Sequence, residues 1–188
     1  GKGGLVRNYP HVPGIDFAGE VVSSVDERYK PGDFVVLTGW RVGEVWWGGF
    51  SQLARVRADW LVPLPAGLTC KEVMSIGTAG LSAMLAVFAM ETSGIKPEMG
   101  EVLVTGASGG VGSIATVVLA ERGYKVVALT GRESFSEYLK SLGASEIITR
   151  DKMIEGDIKL LDSERWMACI DAVGGEILAR VLAQIKFG

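Results

Sequence analysis

Glu101-Val102-Leu103-Val104-Thr105-Gly106-Ala107-Ser108-Gly109-Gly110-Val111-Gly112 is the stretch on which the fold turns. It starts as a short apolar run with the pattern of a buried strand. Four glycines in the next seven positions make a turn, and the segment from 111 to 122 is apolar and Ala-rich at helical spacing. Strand, glycine turn and helix carry A-x-G-x-x-G on Ala107, Gly109 and Gly112, in the context a dinucleotide fingerprint requires. Gly109 lets the backbone approach a diphosphate, and Gly112 lets the helix pack tightly on the strand. The helix N-terminus offers free N–H groups and positive partial charge. Ser108, Gly109, Gly110 and Val111 are the expected contacts. Ala107 at the first position departs from the generic glycine.

Working outward, Gly123-Tyr124 turns into a second strand at 125–130. Ser134-Phe135-Ser136-Glu137 fits a capping box and predicts a helix that stops at Leu142-Gly143. Strands at 146–149 and 166–172 and a helix at 176–185 follow. This alternation implies parallel βαβ units with right-handed crossovers. Upstream, 71–92 is apolar at helical spacing, one or two helices, and Gly94-Ile95-Lys96-Pro97 makes a turn. Between 13 and 70 the pattern changes to short apolar runs at 15–22, 34–37, 50–56 and 60–64, punctuated by Gly, Pro and Asp, an all-β signature. Two domains are therefore expected, at 1–70 and 71–188. The sequence opens inside the β unit and stops where a fifth strand is due, so it is expected to be an internal piece of a longer enzyme.

Composition narrows the classes. The 188 residues hold 19 Lys+Arg against 22 Asp+Glu, a formal charge of −3, with 48% hydrophobic residues. That balance argues against a nucleic-acid partner, which needs clustered cations, and against disorder. The apolar runs fall short of the roughly 20 residues of a bilayer span, so no membrane partner is expected. One His and two widely separated cysteines, Cys70 and Cys169, provide no zinc spacing and no disulfide framework, which predicts a reducing cytoplasm. Both cysteines are expected to be buried thiols.

Cofactor choice is written past the second strand. An NAD site places Asp or Glu there for the ribose 2′-hydroxyl, whereas residues 128–132 are Ala-Leu-Thr-Gly-Arg. Thr130, Gly131 and Arg132 suit a 2′-phosphate instead and predict NADPH. Arg150 is a second phosphate contact or a solvated loop cation. Glu133 is either the missing acid or a first-turn residue favoured by the helix dipole; the second reading is preferred.

Pro13-Gly14-Ile15-Asp16-Phe17-Ala18-Gly19, Pro31-Gly32-Asp33, Trp47-Gly48-Gly49-Phe50, the loop from Gly106 to Gly112 and Asp171-Ala172-Val173-Gly174-Gly175 occur in the order seen in medium-chain dehydrogenases/reductases. Leu37-Thr38-Gly39-Trp40, Ile76-Gly77-Thr78-Ala79-Gly80 and Thr130-Gly131-Arg132-Glu133 resemble its zinc-independent branch of quinone oxidoreductases and acrylyl-CoA reductases. The resemblance implies an α/β fold, a truncated Rossmann doubly wound parallel sheet preceded by part of a GroES-like β-barrel domain, and a homodimer at full length. Gly14-Ile15-Asp16 stands where zinc-dependent relatives carry Gly-His-Glu, so no metal is expected. His11 nearby is expected to be an ordinary surface or satisfied residue. The implied reaction is NADPH-dependent reduction of an activated C=C bond, acrylyl-CoA to propionyl-CoA. The alternatives are NADPH-dependent quinone reduction and a non-catalytic NADPH-binding protein.

Thr78 resembles the family threonine near the nicotinamide; otherwise it is a helix hydroxyl bonded to its own backbone. Asn8, with Tyr9, stands where related reductases line the substrate pocket, or in an exposed turn. Arg7 is a CoA-phosphate contact or a surface cation. Trp40, Trp46, Trp47 and Trp60 wall an acyl pocket or pack loops. Asp171 is expected to cap a turn rather than to act in catalysis.

Overall fold

A computed structural model describes residues 4–156 and 162–186. The chain divides into two compact units, 1–78 and 79–188, with the division inside a helix eight residues beyond the shift in composition.

In the first unit, β1 (Asp16–Glu20), β2 (Phe34–Thr38) and β3 (Val62–Pro63) form an antiparallel sheet in the order β1-β2-β3. Phe17 stands opposite Leu37, and Ala18 opposite Val36. Val35, Val36 and Leu37 are buried, together with Tyr29, whose hydroxyl donates to the carbonyl of Leu61 at 2.7 Å. Two expectations are corrected. The run at 50–56 is not a strand: the amides of Gly48, Gly49 and Phe50 bond to the loop carbonyls of Val12, Gly14 and Pro13. Beyond them the backbone finds no ladder among the described residues, and apolar composition alone does not make a strand. The run at 60–64 shrinks to the two residues of β3, preceded by a 3-10 turn, Ala58–Trp60.

The helix α1 (Cys70–Thr92) begins with a reciprocal cap: the Thr69 amide donates to Glu72 Oε2 at 2.8 Å, and the Glu72 amide to Thr69 Oγ1 at 3.2 Å. Gly77, at φ 49°, breaks it into two helical segments. The expectation about membrane spans needs correcting here. At 23 residues, α1 is long and apolar enough to cross a bilayer by length and composition, because its interspersed Gly, Ser and Thr scarcely lower its apolar character. Ala83, Val87 and Met90 of this helix are core residues, whereas Leu81, Leu85 and Phe88 are exposed.

The second unit is built on four parallel strands, β4 (Glu101–Val104), β5 (Lys125–Thr130), β6 (Glu146–Thr149) and β7 (Trp166–Ile170), in the order β6-β5-β4-β7. Side chains alternate between its faces. Val102, Val104, Val126 and Ala128 join a cluster closed by Ala83, Val87, Ala115, Leu119 and Leu139. Leu103, Val127 and Leu129 point the other way, into a cluster with Met153, Trp166, Ile177 and Val181. The covering helices are α2 (Gly110–Glu121) and α3 (Ser136–Ser141) on one face, α4 (Arg150–Ile154) and α5 (Gly175–Gln184) on the other. A sheet covered on both faces is the doubly wound arrangement. At the strands' N-terminal ends a charge network ties all four together: Glu101 to Lys125 (2.7 Å) and Arg165 (3.3 Å), and Arg165 to Glu146 (2.9 Å).

The capping box at 134–137 is not formed. A 3-10 turn, Glu133–Phe135, takes up Ser134, so that α3 starts at Ser136 with Phe135 at its N-cap and no side-chain cap, and Ser136 Oγ donates back to the Glu133 carbonyl at 2.7 Å. α4 was not anticipated. Thr149 caps it, and Arg180, 8% exposed, donates to the carbonyls of Ile154, Glu155 and Gly156 at its C-terminal end.

Candidate functional site

The C-terminal ends of β4, β5 and β7 are fastened side by side. Thr105 Oγ1 donates to Asp171 Oδ1 at 2.5 Å and accepts from the Ala172 amide at 3.0 Å, while Asp171 Oδ2 accepts from the Gly174 amide at 2.9 Å. Asp171 is thus a turn cap. The Ala107 amide donates to the Leu129 carbonyl at 3.0 Å, drawing the glycine loop across the end of β5. Burial, with the Asp171 charge nearby, pushes the Cys169 thiol up to about 12. Both cysteines are half-buried rather than fully buried.

The loop closes against the start of α2. A Cβ on Gly112 would lie 2.4 Å from the Gly106 carbonyl oxygen and 2.6 Å from Ala107 Cα, so no larger residue fits. Gly109 caps the helix and accepts the first helical bond, from the Ser113 amide at 2.9 Å. The amides of Gly110, Val111 and Gly112 therefore precede the first intrahelical partner, as helix geometry dictates. Gly109 and Gly110 are exposed, whereas Ser108 and Val111 are half-buried.

Beside this helix start stands a polar cluster. Ser108 Oγ and Thr130 Oγ1 are 3.0 Å apart, the Arg132 amide donates to Thr130 Oγ1 at 3.1 Å, and Arg132 Nη2 donates to Ser108 O and Oγ, both at 3.1 Å. Thr130 is buried and Arg132 exposed. The Arg132 guanidinium lies 4.3 Å from the Phe135 ring centroid. Gly131 faces Arg150, whose Cβ and Cδ would lie 3.9 Å from a Cβ at that position. Glu133 opens the 3-10 turn, exposed. Ser108, Thr130, Gly131, Arg132 and Arg150 are thus brought together at one sheet end. A helix-start amide array beside two arginines, with no carboxylate closing β5, fits a dinucleotide carrying a 2′-phosphate.

In the first unit, Thr78 is tied to the carboxylate of Asp16. Its hydroxyl donates to Asp16 Oδ1 at 2.5 Å and its amide to Asp16 Oδ2 at 3.0 Å. Asp16 thereby caps the helical segment that restarts after Gly77, where a Cβ would lie 2.8 Å from Asp16 Oδ2. Among the described residues no group of three His, Cys, Asp or Glu is placed to hold a metal. Arg7, Asn8 and Tyr9 are exposed, and His11 Nε2 is buried without a partner among the described residues. Trp40 stacks on Trp60 at 6.1 Å, and Trp46 tilts against it at 5.6 Å. Trp46, Trp47 and Trp60 line a cavity of about 700 Å³ with Val12, Val45 and Val56. The tryptophans therefore both pack loops and wall a space, Trp40 contributing only packing.

Comparison with known proteins identifies the relatives of this chain. Residues 1–66 match the alcohol dehydrogenase GroES-like domain, and 102–178 match the NAD dependent epimerase/dehydratase family. The chain is 64% identical over 186 residues to the acrylyl-CoA reductase AcuI of Ruegeria pomeroyi, covering 99% of itself and 56% of that protein. The crystal structure of Escherichia coli K-12 YhdH with bound NADPH superposes with a TM-score of 0.93 at 54% identity, covering 98% of this chain and 56% of that one. The chain belongs to the medium-chain dehydrogenase/reductase superfamily. A further member, YhfP of Bacillus subtilis, provisionally named a quinone oxidoreductase, is 50% identical over 186 residues, 99% of this chain and 56% of that protein. Its crystal structure with NAD bound gives a TM-score of 0.92 at 49% identity, covering 98% and 56% of the two chains. The chain spans a little over half the length of these relatives.

Two site features of this family member escaped the sequence. The Asp16–Thr78 tie joins residues 62 positions apart, for which no local signal exists. Phe135 beneath Arg132 had one, since a 3-10 turn aligns side chains three apart, but an isolated aromatic there is indistinguishable from a core residue.

Proposed function

We propose that this chain carries the coenzyme-binding part and some of the substrate-binding part of an NADPH-dependent, zinc-free reductase acting on an activated C=C bond, with acrylyl-CoA as substrate and propionyl-CoA as product. The single observation behind this reading is the cluster of Ser108, Thr130 and Arg132, placed beside the amides of Gly110 and Val111 where an NAD site would carry an acid. The 64% identity to an acrylyl-CoA reductase supports the substrate class. When bound, the coenzyme supplies the hydride. The chain's own residues hold it: the α2 N-terminus takes the diphosphate, Gly109 and Gly112 keep the cradle free of side chains, and Arg132, aided by Arg150, takes the extra phosphate. Thr78, with Asn8, is assigned to the reacting end. Because the Thr78 hydroxyl hydrogen is committed to Asp16, its oxygen serves as a hydrogen-bond acceptor. The domain division at 70, a cytoplasmic location and a full-length homodimer without nucleic-acid or membrane partners complete the proposal.

Quinone reduction is the second reading, favoured by the name of YhfP. NAD in the YhfP structure makes coenzyme preference a question of affinity ratio. The deciding assay follows NADPH oxidation by the full-length protein with acrylyl-CoA and with a quinone, each with and without chelator. Faster turnover of the thioester, unchanged by chelator, is expected; faster quinone turnover selects the second reading. A tight NADPH complex that turns over neither substrate supports a binding protein. Arg132→Ala is expected to weaken NADPH ten- to a hundredfold, the loss of a charge-assisted contact worth about 1.5–3 kcal/mol, with NADH unchanged. Equal affinity of the unaltered protein for both coenzymes would sink the phosphate reading.

A further inference from the structure

Arg132 is exposed, and an exposed arginine normally samples many rotamers, whose freedom is lost when it binds a ligand. Here that loss is largely made before any ligand arrives. The 3-10 turn Glu133–Phe135 starts from Arg132, with the Phe135 amide donating to the Arg132 carbonyl at 3.1 Å. Three residues per turn bring side chains 132 and 135 into line, leaving the guanidinium 4.3 Å from the Phe135 ring centroid, well inside cation–π range. The ring itself is half-buried. It packs against the core cluster that includes Leu139, and it meets Tyr138 edge-on at 6.1 Å and 80°. On its other side Arg132 Nη2 reaches Ser108 O and Oγ. A core-anchored aromatic face and a loop serine thus hold the guanidinium in one orientation.

We propose that Phe135 is a positioning residue that sets coenzyme preference: its ring holds the Arg132 guanidinium in the plane in which it receives the 2′-phosphate. This rests on the phosphate reading above. Preorganisation strengthens binding by lowering the ordering cost rather than by adding a contact. The effect therefore falls on NADPH alone, because NADH presents nothing for Arg132 to grip.

The test titrates the intact protein calorimetrically with NADPH and with NADH, for the unaltered chain and for Phe135→Leu, Phe135→Tyr, Arg132→Ala and Phe135→Leu/Arg132→Ala. Phe135→Leu keeps apolar volume and loses the π face. It is expected to weaken NADPH about threefold, consistent with an exposed cation–π contact, and to leave NADH unchanged. Phe135→Tyr should restore the ratio, and Phe135→Leu should add nothing once Arg132 is alanine. An equal loss for both coenzymes, no loss for NADPH, or a persistent effect in the double variant would overturn the proposal. A second readout needs no variant: the Arg132 guanidinium N–H resonances of the unaltered protein should be ring-current shifted upfield, both alone and with NADPH. Resonances at the free-arginine position in the complex overturn it even if Phe135→Leu does not fold. The parent reading fails differently, through an NADPH/NADH ratio that Arg132→Ala does not change.

Discussion

The two units solve the problem of burying apolar surface in opposite ways. The C-terminal unit closes its core from consecutive βαβ segments: Val102, Leu103, Val104, Leu119, Val126, Val127 and Trp166 are all wholly buried. The N-terminal unit is made of short antiparallel pieces and leaves Trp47, Phe50 and Leu53 at 67%, 77% and 74% exposure. A parallel sheet flanked by its own crossover helices is self-sufficient within a contiguous stretch, whereas a sheet of short strands depends on pairings that sequence neighbours do not supply. Coenzyme recognition is assigned to the self-sufficient unit, where backbone amides and side chains are fixed by local packing.

The sharpest way to break this contrast is to truncate one residue in each unit. Trp166→Ala removes a fully buried ring that also donates from Nε1 to Gln184 at 3.1 Å, and should cost about 3–5 kcal/mol. Leu53→Ala should change stability by less than about 0.5 kcal/mol. Urea melts of the two variants check this, and comparable losses would erase the distinction. Next in size is Gly112→Ala. Alanine gains about 1 kcal/mol in helix propensity, yet its methyl would stand 2.4 Å from a backbone oxygen that cannot swing aside. A net loss of about 1–3 kcal/mol, with weakened NADPH binding, is expected in melts and titrations.

A smaller effect is expected at the charge network. The Lys125 ammonium, helped by Arg165, holds the Glu101 carboxyl below its ordinary value. A depressed folded pKa means the contribution is present above the ordinary glutamate range and lost as pH falls through the lowered value. The melting-temperature gap between the unaltered protein and Glu101→Gln should therefore be visible at pH 7 and shrink as the pH is taken below the ordinary glutamate range. A gap independent of pH would assign the effect to packing. The smallest change concerns Cys169, whose thiol, pushed up to about 12, stays neutral near pH 8. Alkylation by iodoacetamide should be slow in the native protein and speed up when the C-terminal unit unfolds, and rapid labelling of the native protein would contradict the raised thiol pKa.

The same contrast explains what could be read in advance. β4, β5, β6 and β7 announce themselves through short apolar runs alternating with helical stretches, the first two ended by glycine, and Ser108, Thr130 and Arg132 through their places in the glycine loop and at the end of β5. The segment from 50 to 56 has the same apolar content, but strand identity belongs to a pair and the pairing is not written locally. α4 was invisible because five residues with Met153 as the sole buried anchor make no period. The capping box at 134–137 had the right letters, but the chain makes a 3-10 turn there, which puts Ser134 inside the turn and leaves Phe135 at the N-cap of α3. Asp16 looked like the remnant of a metal motif, and its service to Thr78 depended on a fold not yet known.

That last contact bears on how the polypeptide is made. The helix that restarts after Gly77 begins on a carboxylate delivered by β1, so its first turn is completed only when a residue emerging late from the ribosome returns to one emitted about sixty positions earlier. Thr78 is also the final residue of the N-terminal unit. A nascent chain stalled short of it would hold β1 and β2 without the clasp that joins them to the helix, and release of that stall is the moment at which the unit becomes whole.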